Sequence, residues 1–539
     1  YGLVGSEMCI RDSPWDLHSL SVLEGYGLQA YKVASADLTN IELLGAIAQT
    51  GKPMICSTGM STEQEIEGAV EFLNAVNAEF ILLHCNSTYP TPFRDVDLLY
   101  MKNLQLISNN KVVGYSGHER GYLVPVLAVS LGAKVIEKHF TLDKSMEGND
   151  HKVSLIPSEF RKMVDQIRLT EEVLGKGLPR TISQGEYLNR EILAKSLVIN
   201  RSLNVGTSIT RDMIDIKSPG HGLQPYHIDD LVGKIAQRKF SIGDFFYESD
   251  LHEISVNSRK YSFRRPFGIP VRYHDFLKLI PNTNVDFVEF HLSYKDLEID
   301  INKVFKGTYN IGLVVHCPEL FSGDHILNLC SESRFYCKRS ISELQNVVDI
   351  TRKLNKYFPI TTKPIIVINA GGFSEVGFLS VKEKNKMYNK VKSSLDSIDS
   401  EGVELVIQTM PPFPWHFGGQ SHHNLFISPE EIIDFCRMSG YRICLDISHS
   451  QMACNYYHWA MNDFIEKVAP YVAHLHISDA LGVDGEGVQM GNGDVNFDQL
   501  TKKIDKLIPE SGFIPEIWQG HKQNGSGFWQ ALEFLEDFL

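Results

Sequence analysis

The sequence predicts an α/β protein with two β/α series of parallel-sheet type and a small β-rich module between them. Three observations carry this. Short apolar runs alternate with amphipathic stretches from about residue 28 to 180, the same alternation returns from about 262, and the segment between breaks it. Strands buried on both faces read as unbroken apolar runs, and their alternation with helical sequence marks a parallel sheet. At 539 residues the chain also exceeds what one core can hold.

In the first series the expected strands are AYKVAS (30–35), PMICSTG (53–59), FILLHCNS (80–87), KVVGYSGH (111–118) and KVIEKHFT (134–141). Segments such as TEQEIEGAVEFLNAV (62–76) and GYLVPVLAVSLGA (121–133) supply helices between them. The sheet is either a barrel or an open doubly wound sheet. The phosphate turn G-x-G-x-x-G of the open fold is absent, and polar residues crowd the strand ends, where a barrel keeps its chemistry. Residues 155–190 read as helical and then polar.

The stretch 190–254 carries short strands, the turn-rich KSPGHGLQP (217–225) and two similar phrases, LNVGTSITRDMI (203–214) and FSIGDFFYESDL (240–251). Each phrase reads as strand, glycine turn, strand and a short helical turn. After a polar joint, eight more strands follow: 267–273, 285–293, 311–319, 364–372, 404–412, 442–449, 472–479 and 512–520. Eight is the count for a complete (β/α)₈ barrel over 262–539.

Composition narrows the function classes. The chain is 43% hydrophobic and 22% charged, with a formal charge of −14, opposite in sign to a nucleic-acid footprint. No apolar run approaches the roughly 18 residues of a membrane span. Nine cysteines are scattered without a C-x-x-C pair, several within apolar runs, which fits a reducing cytoplasm. The opening YGLVGSEMCIRD (1–12) matches no element that follows and reads as an artefactual or disordered tail.

In the first series His118 and His139 end successive strands. Neighbouring strands lie about 5 Å apart, so both imidazoles can reach one divalent ion. Lys32, Ser35, Ser57 and Ser116 also sit at strand ends, a cation and three hydroxyls suited to a phosphate or carboxylate.

The phrases YKVASADLTN (31–40), GKPMICSTGM (51–60), LLHCNSTYPTP (82–92), GYSGHERG (114–121) and EKHFTLDKSMEGNDHKVSL (137–155) together resemble the sialic acid (nonulosonate) synthases. KSLVINRSLNVGTSIT (195–210) resembles the antifreeze-like (SAF) domain that ends the same family. The resemblance runs over about 13–254. It implies a TIM barrel at 13–185 followed by an antifreeze-like β-clip domain at 190–254. It implies condensation of phosphoenolpyruvate with an N-acylated amino sugar, N-acetylmannosamine or a relative, with release of phosphate. His118 and His139 would hold Mn²⁺ or Mg²⁺, and Lys32, Ser35, Ser57 and Ser116 would bind phosphoenolpyruvate. Tyr89 and Asp150 would face the sugar and Glu137 the reacting aldehyde. A homodimer exchanging its antifreeze-like domains is implied as well.

Three departures stand out. Matching sequence begins only near Ser13-Pro14-Trp15-Asp16, which resembles the third strand, so the family's first two strands are expected to be missing and the chain a fragment. Ser87, also expected to bind substrate, stands at the asparagine that many members place after the strand-end HCT. KSPG, with Ser218, replaces the family's K-R-P-G.

The second series gathers Asp446 and His449 (LDISH), His476 (HLHISD), Asp484 and Glu486 (DGEG) and Glu516 (EIWQGH) at or past the ends of late strands. Mixed nitrogen and oxygen donors at a barrel mouth suit Zn²⁺, Mn²⁺ or a similar ion. Residues 262–539 resemble the xylose-isomerase-like sugar phosphate isomerase/epimerase family and, more distantly, the endonuclease-IV barrel. Where that pattern ends its fifth strand with glutamate, this chain has Gln408, which ligates through oxygen but accepts no proton. His316, His416 or Glu319 would have to substitute as a base. PPFPWHFGGQSHHN (411–424) and EIWQGHKQNGSGF (516–528) are expected as active-site loops. The whole reads as a synthase fused to a sugar isomerase/epimerase. The alternatives are that the second barrel is the main activity, or a non-catalytic sugar-binding or assembly module.

Overall fold

Five parallel strands make the first sheet: β1 Tyr31–Val33, β2 Met54–Ser57, β3 Phe80–Cys85, β4 Val113–Gly117 and β5 Ile136–Lys138. The computed structural model describes residues 13–180, 182–252, 256–416 and 419–539, so the opening segment 1–12 and Phe417–Gly418 lie outside it, as does the side chain of His416. All five strands fall inside the expected apolar runs. Each pairs with the next in sequence, the unreversed winding of a barrel rather than of a doubly wound sheet. Ser13–Asp16 forms no strand, which corrects the expectation there. Pro14 has no N–H to donate, and Asp16 accepts from the Ser19 amide at 2.6 Å to cap the helix Leu17–Glu24.

The chain divides into two compact units, Tyr1–Arg180 and Thr181–Leu539. In the first, the helix Glu63–Ala75 starts at a capping box between Thr62 and Glu65 and buries Ile66, Ala69, Val70 and Leu73. That i, i+3, i+4, i+7 stripe packs onto the sheet with Leu43, Leu44 and Ile47 of the preceding helix.

The second unit opens with the helix Gln184–Leu193 and the β-rich module. β6 Ser196–Ile199 pairs antiparallel with β7 Ile214–Lys217. The two similar phrases meet through a bridge between Leu203 and Phe240, and each ends in a 3₁₀ turn, Arg211–Met213 and Glu248–Asp250.

The eight expected strands follow as β8 Gly268–Val271, β9 Phe287–His291, β10 Gly312–His316, β11 Ile365–Ile368, β12 Glu404–Gln408, β13 Arg442–Asp446, β14 Val472–Ile477 and β15 Phe513–Pro515. They run parallel in that order, and a bridge between Phe267 and Phe513 closes the barrel. Alternate side chains point inward, so Phe287, Val314, Val367, Val406, Cys444 and Ile514 form a buried apolar layer. One step of two residues further along, the same strands deliver Glu289, His316, Gln408, Asp446 and Glu516, which makes the upper layer polar. No helix among the described residues is long and apolar enough to cross a membrane. The eight described cysteines are free and buried.

Candidate active sites

In the first unit, β4 leads into His118 and β5 into His139, and their ring centroids stand 5.1 Å apart. His118 Nδ1 lies 2.8 Å from the Asn86 carbonyl. Donating its proton there leaves Nε2 with its lone pair available to a metal, the usual outer-shell support of a ligand histidine. His139 Nδ1 is 3.9 Å from Asp150. Tyr89 lays its ring 4.1 Å from that of His118 and edge-on to His139 at 5.9 Å. Burial pushes the His139 pKa down, and the neighbouring His118 adds to this. Burial opposes charge on Cys85, 3.7 Å from His118, yet His118 and the Ser35 and Ser87 hydroxyls outweigh it and hold the thiol below its ordinary value. Two facing imidazoles, one already oriented by a carbonyl, fit a divalent ion.

Beside them Lys32 is buried, donates to the Val33 carbonyl at 2.7 Å and lies 3.7 Å from Glu137. Ser116 donates to Glu137 at 2.7 Å. The Ser57 hydroxyl is buried with no partner among the described residues, an orphan suited to a ligand oxygen. Gly59 donates its amide to Ser35 at 3.1 Å, and a Cβ there would lie 2.2 Å from the Ser87 hydroxyl. A side chain at this position would have to displace the Ser87 and Ser35 hydroxyls. Lys32, Glu137 and Ser116 thus form one set of contacts, and His118, His139, Tyr89 and Asp150 another, which Cys85 extends to Ser35, Ser87 and Gly59.

In the second unit the barrel mouth holds a cavity of about 420 Å³, lined among others by His291, His316, Gln408, Asp446, His449, Glu486 and Glu516. His476 Nδ1 is 2.6 Å from Glu516 and 3.9 Å from Asp446, and Gln408 Nε2 is 2.9 Å from Asp446 and 3.2 Å from His476. Four strands, β12 to β15, therefore converge four polar side chains. Burial pushes the Asp446 carboxyl up to about 6 although His449 beside it works the other way. Burial also opposes charge on His449, but Asp446 and Glu486 outweigh it and lift it to about 10. Such a gathering of carboxylates and imidazoles fits a divalent cation.

Asp484 stands apart from this group. It belongs to the turn between Asp479–Leu481 and Gly485–Val488, does not line the cavity, and its carboxyl accepts from Gln420. No described residue of the 411–424 loop lines the cavity either, whereas Glu516, Trp518, Gln519, His521 and Phe528 of the 516–528 loop do.

Sequence reasoning missed three residues. Glu289 is fully buried, hydrogen-bonded through Oε2 to His474 at 2.7 Å, with His476 and His291 Nε2 lying 3.0 Å and 3.1 Å from its Oε1. The signal was present: an acid in the apolar run VDFVEFH and the H-x-H of VAHLHIS place these groups two residues apart on inward faces.

Residues 6–178 match the NeuB family, 194–252 the SAF domain and 277–538 the xylose isomerase-like TIM barrel. An uncharacterised protein of Methanocaldococcus jannaschii is 43% identical over 242 residues, 44% of this chain and 71% of the relative. An N,N'-diacetyllegionaminic acid synthase of Campylobacter jejuni is 38% identical over 239 residues, again 44% and 71%. A solved N-acetylneuraminic acid synthetase of Leptospira borgpetersenii, in complex with citrate, shares 38% identity, covering 34% of this chain and 64% of that one at a TM-score of 0.31. The chain thus spans about seven tenths of those two curated relatives and under two thirds of the solved synthetase. A D-tagatose 3-epimerase-like structure is 20% identical, covering 50% of this chain and 98% of its own at a TM-score of 0.36.

Proposed function

The chain belongs to the NeuB family and carries an SAF domain and a xylose isomerase-like TIM barrel, and from that premise we propose that its first unit condenses phosphoenolpyruvate with an N-acylated amino sugar to give a nonulosonate. The observation that carries the reading is the pair His118 and His139, 5.1 Å apart, beside the buried Lys32 and the unpartnered Ser57 hydroxyl. His118 and His139 would hold a divalent ion, which would supply Lewis-acid polarisation of the open-chain sugar's carbonyl. Lys32, Ser57 and Ser116 hold the phosphate and carboxylate, fixing the enol carbon in attack geometry. Glu137, between Ser116 and Lys32, takes a proton from the water that adds at the phosphate-bearing carbon as phosphate leaves and returns it to the alkoxide formed from the sugar's carbonyl, and Tyr89 and Asp150 bound the space for the sugar. Sugar-dependent phosphate release from phosphoenolpyruvate, measured with Mn²⁺ across a panel of N-acylated hexosamines, tests this. His118→Ala should reduce release to background without lowering the melting temperature by more than a few degrees; full turnover in that variant would sink the assignment.

The second barrel, in the same reading, binds a divalent ion through Gln408, Asp446, His476 and Glu516 and isomerises or epimerises a sugar. The cavity above the cluster supports this. Gln408 favours a second reading, a sugar-binding module without turnover, because an amide accepts no proton. Metal content of the purified chain, with and without Asp446→Ala, followed by sugar turnover, separates the two.

A further inference from the structure

Gln408 is nearly fully buried, and each end of its amide has a partner. Nε2 donates to Asp446 Oδ2 at 2.9 Å and lies 3.2 Å from His476 Nδ1, while Oε1 is 3.1 Å from His316 Nε2. His316, at the end of β10, is also buried, and its Nδ1 lies 3.0 Å from the Cys317 carbonyl. Its ring stacks 4.7 Å from His291 and 5.7 Å from His476, so it cannot turn freely.

A neutral imidazole has one proton to donate. As the amide stands, its oxygen can accept from His316 Nε2. A half-turn of the amide about its last bond would bring its N–H to His316 Nε2 and its oxygen to Asp446 and His476, an arrangement His316 accommodates by carrying its proton on Nδ1, towards the Cys317 carbonyl. Beside a bare carboxylate an inward oxygen is unfavourable. Beside a cation held by Asp446, His476 and Glu516 it is the preferred arrangement, since hard divalent ions take oxygen donors. Amide orientation is therefore coupled to occupancy of the centre.

We propose that His316 is a positioning residue that receives the Gln408 N–H when a divalent cation binds, turning the amide oxygen inward as a neutral ligand in place of a carboxylate. A glutamate at 408 would need no such partner, because both of its outer atoms are acceptors. Gln408 and His316 thus act as one unit, and His316 is not free to serve as a base. The inference rests on the second barrel's centre binding a cation.

The test is a double-mutant cycle on the full chain, in a His118→Ala background that silences the first centre. Mn²⁺ affinity is measured by calorimetry and the ligand field by Co²⁺ absorption. His316→Ala should weaken Mn²⁺ binding about tenfold with Gln408 present, the size of loss typical of a ligand-orienting partner, and shift the Co²⁺ bands. In the Gln408→Glu background the same change should cost less than about twofold. His316→Phe, which keeps the stack and removes the acceptor, guards against loss of fold and should behave alike. Equal losses in both backgrounds, or none in either, would overturn the coupling while leaving the cation centre standing. A chain that binds neither ion at this centre would overturn both.

Discussion

Lys138 Nζ lies 2.7 Å from Glu119 Oε1, and both side chains are fully buried. Glu119 follows His118 and Lys138 precedes His139, so this pair ties together the two strand ends that carry the facing histidines. Tyr115 adds a hydrogen bond to the same carboxylate at 2.6 Å. Removing one partner would strand a buried charge, at about 3–5 kcal/mol. Lys138→Met should therefore lower the unfolding free energy by that order and weaken Mn²⁺ binding at His118 and His139. Lys138→Met with Glu119→Leu should recover much of the stability, as read by urea unfolding, but not the Mn²⁺ affinity. A single variant as stable as the parent would show that the pair is dispensable.

Ser57 gives an opposite signature. Its hydroxyl is buried and unpartnered, so Ser57→Ala removes an unsatisfied group and should leave the melting temperature unchanged or slightly higher. If the hydroxyl binds a phosphoenolpyruvate oxygen, losing it costs about 1–2 kcal/mol, roughly a tenfold rise in the dissociation constant. Calorimetry with phosphoenolpyruvate and Mn²⁺ reads this directly. An unchanged constant would remove Ser57 from the phosphate cradle.

The strands were legible because buried parallel strands must be apolar along their whole length, and all thirteen of the two parallel sheets fall within runs such as FILLHC and RICLD. The strand-end positions of His118, His139 and Asp446 were legible because each closes an apolar run. What escaped was contact across the barrel. Glu289 and His474 are 185 residues apart yet 2.7 Å from each other, and only closure of the sheet brings them together. Asp484 was over-read for the complementary reason. It follows β14 closely in sequence, but the hairpin after that strand carries it away from the cavity. Ser13–Asp16 looked like a strand by likeness to others, yet Pro14 and the helix-capping Asp16 give it no ladder to join.

His325 supplies a pH dependence outside both sites. It is buried, its Nε2 is 3.0 Å from the Ser340 hydroxyl, and its ring is 4.2 Å from that of Tyr336. Burial, with the Arg339 charge adding to it, depresses its pKa from 6.5 to about 4. Between those values the unfolded chain binds a proton that the folded chain does not, so stability is complete above about pH 6.5 and falls as pH drops towards 4. The full effect is about 3 kcal/mol. Urea midpoints at pH 7, 6 and 5 should decline, and His325→Gln should flatten part of that slope. An identical slope in the variant would assign the acid sensitivity to other groups.

Gly185 tests how the helix Gln184–Leu193 is held within the second unit. A Cβ at this position would lie 2.4 Å from two ring carbons of Trp415, inside any tolerable contact. At the other end of the helix Glu191 pairs with Lys522 at 2.6 Å, and the Gly220 amide donates to the Glu191 carbonyl at 2.8 Å. Alanine in place of glycine normally stabilises a helix by about 1 kcal/mol, so a gain in propensity competes with the clash. A leucine, with three more carbons aimed at the indole, decides the contest: overpacking typically costs about 1–3 kcal/mol. Gly185→Leu should raise amide exchange over 184–193 and around Trp415, while exchange in the barrel strands β11 to β15 stays as in the parent. The ion pair, partly exposed and worth at most about 1 kcal/mol, cannot hold the helix in register alone. Unchanged exchange over 184–193 would mean that Trp415 swings aside at little cost and that the helix is anchored chiefly by the Gly220 contact.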